Sequence, residues 1–426
     1  MQTIREIITI VEMVLTSAFS LLFFYQFFYT FYVLFSKEKE KPLLTDKMHK
    51  FGVIVSARNE EQVIGQLLDS IQKQNYPAHL IRMMVIADNC SDNTADVSRE
   101  HGAYVLVRNN TELIGKGYAL DYLFAHLREE GDDCDAYVVF DADNLVDKNF
   151  LAEMNKGLNR GYKAVTSYRN SKNYGTHWIS AGYSLWFLRE AKYLNNARML
   201  LNTSCAISGT GFCVARELIE ENGGWPFHLL TEDMEFTVNT IVNGGKIGYC
   251  GNAVLYDEQP EKFSQSWNQR MRWAKGFYQV FGKYAGKLFK GLFRGSFACY
   301  DMLMTILPGI LGFGVTFLCA MSDVVFWIIH PESDGLERAA TILIIFFVFY
   351  YLLMLLMGLL TMITEGQYIR GCSTMRKIRS VFTFPFYMVT YIPIGFVALF
   401  KKVGWKPITH SVTKSIDEIN EKNVAK

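Results

Sequence analysis

Residues 51–94, "FGVIVSARNEEQVIGQLLDSIQKQNYPAHLIRMMVIADNCSDNT", decide the architecture. Two short β-branched runs, "FGVIVSA" (51–57) and "MMVIAD" (83–88), flank a helical pattern over 60–74, and another helix is expected from 92. The rhythm continues through "AYVLVR" (103–108), a helical pattern over 116–128 and "AYVVFDAD" (136–143). Strands alternating with helices predict a mostly parallel sheet covered on both faces, an α/β domain. Ligands of such sheets bind beyond the carboxyl ends of the strands, and the polar clusters "RNEE", "DNCSDNT" and "DADN" fall there. No GxGxxG follows the first strand and no Walker lysine motif is present, which disfavours dinucleotide and P-loop chemistry.

The clusters differ in how much they say. Asp88 can accept from a uracil imide or a ribose hydroxyl, or can form an Asx turn or cap for the next helix. Lys116, at the start of a helix, suits an anion, or is an exposed loop lysine. "FDADN" is more specific: Asp141 and Asp143 follow a very apolar strand, and an extended backbone would send both carboxylates to one face. Such a pair suits Mg²⁺ or Mn²⁺ shared with diphosphate oxygens. In "LLTEDMEF", Glu232 and Asp233 precede a helical pattern, where an acid serves as a cap or as general base to a sugar hydroxyl. The small residues of "SGTGF" (Gly209, Thr210, Gly211) allow close approach of a sugar to the backbone. "SWNQRMRWAKG" (266–276) combines guanidinium groups with indoles, which suits an anionic, ring-bearing ligand or a belt at lipid headgroup level.

The rest of the composition points to a membrane. Half of the 426 residues are hydrophobic, and runs at 8–36, 301–329, 339–363 and 381–400 each reach the ~20 residues a bilayer requires. The first is expected to be a retained anchor, and Pro385 and Pro393 interrupt the last. Lys37, Lys39, Lys41, Lys47 and Lys50 after the first run, and Arg370, Arg376, Lys377 and Arg379 before the last, predict that 37–300 face the cytoplasm of a plasma-membrane protein. The expected organisation is an anchor (1–36), a catalytic domain (37–274), an interfacial amphipathic helix (275–300), a membrane region (301–400) and a tail (401–426). Four crossings would leave that tail outside, against the charge of Lys401, Lys402 and Lys406. The net charge of +1 and the lack of a basic tract exclude a nucleic-acid partner, and the cysteines lack the CxxC spacing of a zinc site.

Taken in order, "ARNEE", "DNCSDNT", "GKGYAL", "DADN", "SGTGF", "TEDMEF" and "QRMRW" resemble the motifs of membrane-embedded family 2 glycosyltransferases, the group of cellulose, hyaluronan and poly-N-acetylglucosamine synthases. The resemblance spans about residues 50–300 and implies a GT-A-like fold and inverting transfer from a UDP-sugar to a glycan or lipid acceptor. It implies that Ala57, Glu60 and Asp88 lie at the uridine, that Asp141 and Asp143 meet the donor and its metal, and that Asp233 is the base. Gln269, Arg270, Arg272 and Trp273 correspond to the QxxRW motif that closes over the diphosphate and the acceptor. The chain has fewer apolar runs than the polymer synthases that form a complete channel, so accessory subunits for export are expected. No cytosolic module is expected after the last run, and with it no control by a cyclic dinucleotide within the chain.

Overall fold

The computed structural model describes residues 2–36, 41–307, 310–404, 410 and 412–421; Lys37, Lys39 and Lys406 of the charge argument lie outside them. Eight strands, β1 (Phe51–Ala57), β2 (Ile81–Asp88), β3 (Tyr104–Arg108), β4 (Ala136–Asp141), β5 (Leu145–Val146), β6 (Ala164–Ser171), β7 (Phe212–Ala215) and β8 (Ile247–Asp257), form one sheet. Their order is β3-β2-β1-β4-β7-β6-β8-β5. The first four strands pair in parallel as the βαβ rhythm predicts. β7 then runs antiparallel between β4 and β6, so the sheet is mixed.

Alternation along the strands builds two cores. Val53, Val55 and Val85 face one cluster while Ile54, Met84 and Ile86 face the other, because successive strand side chains point to opposite faces. Helix Ile64–Gln72 closes the first core with Ile64, Leu67, Leu68 and Ile71, a helical stripe at i, i+3, i+4 and i+7.

Three expectations about the membrane portion change. The apolar run 301–329 is not one span: helix Phe297–Ile306 ends before a separate helix, Ile310–Ile329. The amphipathic segment does not begin at 275, since one helix runs unbroken through Phe263–Phe293. Its stripe is covered by protein: Tyr284 and Leu288 are buried, and Phe277, Phe281 and Leu292 pack beside them against Met234, Val238 and Met302. A protein face competes successfully with lipid here because helices Glu232–Val242 and Phe297–Ile306 present matching apolar surfaces.

The third change concerns the tail. Residues 410 and 412–421 lie on the catalytic domain: Ile416 and Ile419 pack on Leu145 and Tyr256, and the Val412 amide donates to Glu258 (2.9 Å). The tail thus packs on the domain from which four crossings would have separated it. Helices Arg5–Phe35, Gly335–Tyr368 and Thr374–Phe400 are long and apolar enough to cross a membrane. The last is divided at Thr390 into Thr374–Val389 and Tyr391–Phe400.

Candidate active site

The polar loops converge at the carboxyl end of the sheet. β4 ends at Asp141, and the chain turns at once, with the Asn144 amide donating to the Asp141 carbonyl (3.1 Å). Asp143 therefore sits in a turn rather than on an extended strand, and the argument that two strand positions would aim both acids to one face does not hold. Each acid instead has its own partners. Lys116 Nζ donates to Asp141 Oδ1 (2.5 Å) and to the Gly209 carbonyl (2.9 Å). The Glu258 amide donates to Asp143 Oδ2 (2.8 Å).

Thr210 joins the two motifs further. Its hydroxyl accepts from the Asp141 amide (2.9 Å) and donates to Asn144 Oδ1 (2.5 Å). Gly209 and Gly211 flank it with φ of 74° and 65°, a region glycine enters without steric cost. A Cβ on Gly211 would lie 1.9 Å from Leu255 Cδ2, so this turn requires glycine twice over. The Gly209 amide donates to Asp233 Oδ2 at 2.6 Å, which ties the small-residue loop to the acid pair at the start of helix Glu232–Val242.

Burial raises the proton affinity of that pair. Glu232 is pushed up to about 7 by burial and by the neighbouring Asp233, against the pull of Lys116 and Arg272. Asp233 is also raised by burial, opposed by the Met234 and Gly209 amides and then by Lys116 and Arg272. Asp143 behaves differently. Burial acts upward on it, yet His410, Lys172, the Glu258 amide and Arg169 together hold it below its ordinary value.

The remaining residues divide. Ala57 lies buried at the end of β1. Asp88 at the end of β2 pairs with Arg108 of β3 (2.5 Å). It does not cap the next helix, whose N-cap position is Asn93; Asp92 forms the Asx turn before it, accepting from the Thr94 amide (3.1 Å). Arg272 faces the acids electrostatically, and Trp273 rests edge-on against Tyr183 (5.7 Å) and Phe187 (6.1 Å). Arg270 is placed elsewhere. It is fully buried, donates to Thr390 (2.7 Å) and the Tyr387 carbonyl (3.2 Å), and lies over the rings of Tyr387 and Tyr391. Helical geometry explains this, since positions 270 and 272 point about 200° apart. Gln269 Oε1 is buried with no hydrogen-bond partner among the described residues.

Four participants escaped the reading of the sequence. Glu60 is met by His410, whose Nδ1 is 3.0 Å from each carboxylate oxygen. Burial opposes charge on His410, but Asp143, Glu60 and Glu258 carry it up to about 10, so it is a cation at neutral pH. Arg169 pairs with Asp257 (2.5 Å) and lies 3.7 Å over Phe187. Burial, opposed by Arg169, pushes Asp257 up to about 6. Glu190, raised by burial, opens a π-helical turn beside Arg169 and Asp233. Asp257 lies in the acidic run "YDEQPE" (256–261), a weak signal on its own; nothing in 410–412 singled out His410, more than 300 residues from Glu60.

Asp141 and Asp143 carry the hard carboxylate oxygens that a divalent cation takes, and Lys116 and His410 offset the charge of these acids and of Glu60. In this structure the oxygens of Glu60, Asp141 and Asp143 do not all lie within 4.8 Å of one another. A second acidic group, Asp132, Asp133 and Cys134, precedes β4 at the opposite end of the sheet and is engaged by Arg82 and Lys50.

A mixed sheet with its acids, lysine and small-residue turn gathered at one end defines a glycosyltransferase with a GT-A-like fold. The mannosyltransferase PcManGT from Pyrobaculum calidifontis, solved in complex with GDP-Man and Mn²⁺, superposes with a TM-score of 0.58 at 17% identity over 92% of this chain and 99% of that one. Residues 49–276 match the family described as glycosyltransferase like family 2, and the chain belongs to it. Among relatives, the probable glycosyltransferase YdaM of Bacillus subtilis (strain 168) is 29% identical over 57% of this chain and 59% of its own length. The β-monoglucosyldiacylglycerol synthase of Synechocystis sp. (strain PCC 6803) is 26% identical over 58% and 53%. The poly-β-1,6-N-acetyl-D-glucosamine synthase of Staphylococcus aureus (strain COL) is 23% identical over 60% and 61%. The chain thus matches little more than half the length of these relatives.

Proposed function

We propose that the protein transfers sugar from a UDP-sugar, with inversion, onto a growing β-linked polysaccharide at the membrane. The observation that carries this is the placement of Asp233: a half-buried carboxyl with raised proton affinity, oriented by the Gly209 amide at the carboxyl end of the sheet. In the proposed mechanism Asp233 takes the proton of an acceptor hydroxyl as its oxygen attacks the anomeric carbon opposite the diphosphate. The C–O bond to UDP breaks as the new bond forms, so an α-linked donor gives a β-linked product. Lys116 and Arg272 hold positive charge where the leaving diphosphate develops negative charge. Asp141 and Asp143, with Glu60, would hold Mg²⁺ or Mn²⁺, which supplies further neutralisation of the diphosphate. Arg270 acts through position, clamping the motif helix to Tyr387 and Thr390.

The membrane arrangement follows from parity. Because the tail returns to the catalytic domain, an even number of crossings separates them. Helices Ile310–Ile329 and Gly335–Glu365 form an antiparallel pair and supply two. Ser322 donates to Glu12 (2.9 Å) and Arg338 pairs with Glu12 (3.3 Å), so the first helix meets the same end of that pair. The divided helix Thr374–Phe400 then lies along the near surface. Its apolar window is 44% buried against protein, compared with 11% for Gly335–Tyr368 and 6% for Arg5–Phe35. With the catalytic side cytoplasmic, the anchor begins outside.

Both a glycan-polymerising and a glycolipid-forming enzyme occur among the relatives, and product size separates the readings. Purified protein in nanodiscs, given radiolabelled UDP-sugars with Mg²⁺ or Mn²⁺, should yield long chains cleaved by a β-specific hydrolase. A single chloroform-soluble sugar lipid as the sole product would replace this reading with the glycolipid one.

A further inference from the structure

One cleft lies apart from the sheet's acids. It opens between the start of helix Trp178–Arg189 and the first turns of helix Thr374–Val389, with a volume of about 270 Å³. His177, Trp178, Arg376, Arg379, Ser380 and Thr383 contribute to its walls, and no carboxylate lines it. The Gly175 carbonyl accepts from Arg376 (3.0 Å) and fixes one prong of its guanidinium. Arg379 has no hydrogen-bond or ion-pair partner among the described residues. Nδ1 of His177 accepts from the Ile179 amide (3.4 Å), which leaves Nε2 to carry the ring proton as a donor.

The neighbouring stripe of the same helix is apolar and uncovered. Met375, Ile378, Phe382 and Phe386 are 58, 48, 53 and 59% exposed, and their spacing of three, four and four residues puts them on one helical face. Arg376 and Arg379 border that face. A helix with bare apolar residues on one side, arginines along its edge and an indole across the cleft has the profile of an element at headgroup depth.

We propose that this cleft binds the phosphate of an anionic phospholipid, with the acyl chains lying along Met375, Ile378, Phe382 and Phe386. Two guanidinium groups and an imidazole N–H match phosphate oxygens in charge and donor geometry, while the absence of a carboxylate removes the competing partner. The proposal rests on the surface position of helix Thr374–Val389. Its consequence reaches the catalytic side, because helix Trp178–Arg189 also carries Tyr183 and Phe187, the rings against which Trp273 rests. A headgroup seated at 177–178 would couple the bilayer to that wall.

The test is a titration of the full chain in a neutral detergent with short-chain phosphatidylglycerol, short-chain phosphatidylcholine and inorganic phosphate, read by native mass spectrometry. Phosphatidylglycerol should be retained roughly tenfold more tightly than phosphatidylcholine, and Arg376→Gln with Arg379→Gln should remove that preference. Thr383→Trp, which fills the cleft without changing charge, should weaken retention as well, with unchanged melting temperatures serving as the control for folding. Equal retention by wild type and the double variant would overturn the proposal. So would displacement of the lipid by an equal concentration of inorganic phosphate, which would assign the cleft to a free anion. Neither readout uses donor or turnover, and flotation on phosphatidylcholine vesicles separately tests whether the chain associates with a bilayer at all.

Discussion

Asp233 and Glu232 adjoin in sequence, yet the site treats them differently. Asp233 is tied to the small-residue turn by the Gly209 amide, so Asp233→Asn should lower turnover by about 10²–10⁴-fold while leaving the affinity for UDP nearly unchanged. Near-normal product formation by that variant in a radiolabel assay would remove Asp233 from its role. Glu232, pushed up to about 7, predicts a pH dependence of known sign. A carboxyl whose folded pKa exceeds its unfolded one stabilises fully below the unfolded value, and that contribution is lost as pH rises from about 4.5 to about 7. Glu232→Gln should therefore melt roughly 2–4 °C above wild type at pH 8 and close to it at pH 5, read by thermal denaturation. For the metal, Asp143→Ala should abolish the response of turnover to Mg²⁺ or Mn²⁺, and chelator should silence the native enzyme. Full activity in excess chelator would refute the assignment.

At the scale of elements, helix Phe263–Phe293 is the joint between catalytic domain and membrane region. Its one face carries Arg272 and Trp273 towards the acids and the aromatic wall, while Arg270 enters a cage of Tyr183, Tyr387 and Tyr391 at 5.9, 4.5 and 4.8 Å. Arg270→Ala would leave Thr390 and the Tyr387 carbonyl without their donor and empty the cage, at a cost of about 3–5 kcal/mol. The expected result is a clear drop in melting temperature with the KM for the UDP-sugar changed less than about twofold. A selective rise in that KM with normal stability would instead place Arg270 at the diphosphate. "QRMRW" marked the segment, but that its two arginines part ways was not legible, because the hydrogen-bond partners of Arg270 lie about 120 residues downstream.

For the whole molecule, the packing of the tail on the domain makes the proposed arrangement testable. Single cysteines at Glu129, Glu332 and Thr413, in a chain with the native cysteines replaced, should divide under a membrane-impermeant maleimide in intact cells. Position 332 should react, while 129 and 413 should react only after lysis. Labelling of 413 together with 332 would restore an external tail and four crossings.

The βαβ alternation, the acids at the strand ends and the order of the motifs were legible in the chain because each depends on local periodicity or on residues close in sequence. Strands β1–β4 and the helices between them fall where the apolar periods place them. Several features were decided only by tertiary structure. Asp143 lies in a turn rather than on the strand, Thr210 links "SGTGF" to "DADN", and the stripe of Phe263–Phe293 is covered by protein. His410 pairs with Glu60 across 350 residues of chain, and its tail lies on the domain side. Hydropathy and charge counts measure what a segment prefers when its surroundings are water or lipid. They carry no information about a third surface, the folded protein itself, and here that surface outcompeted both.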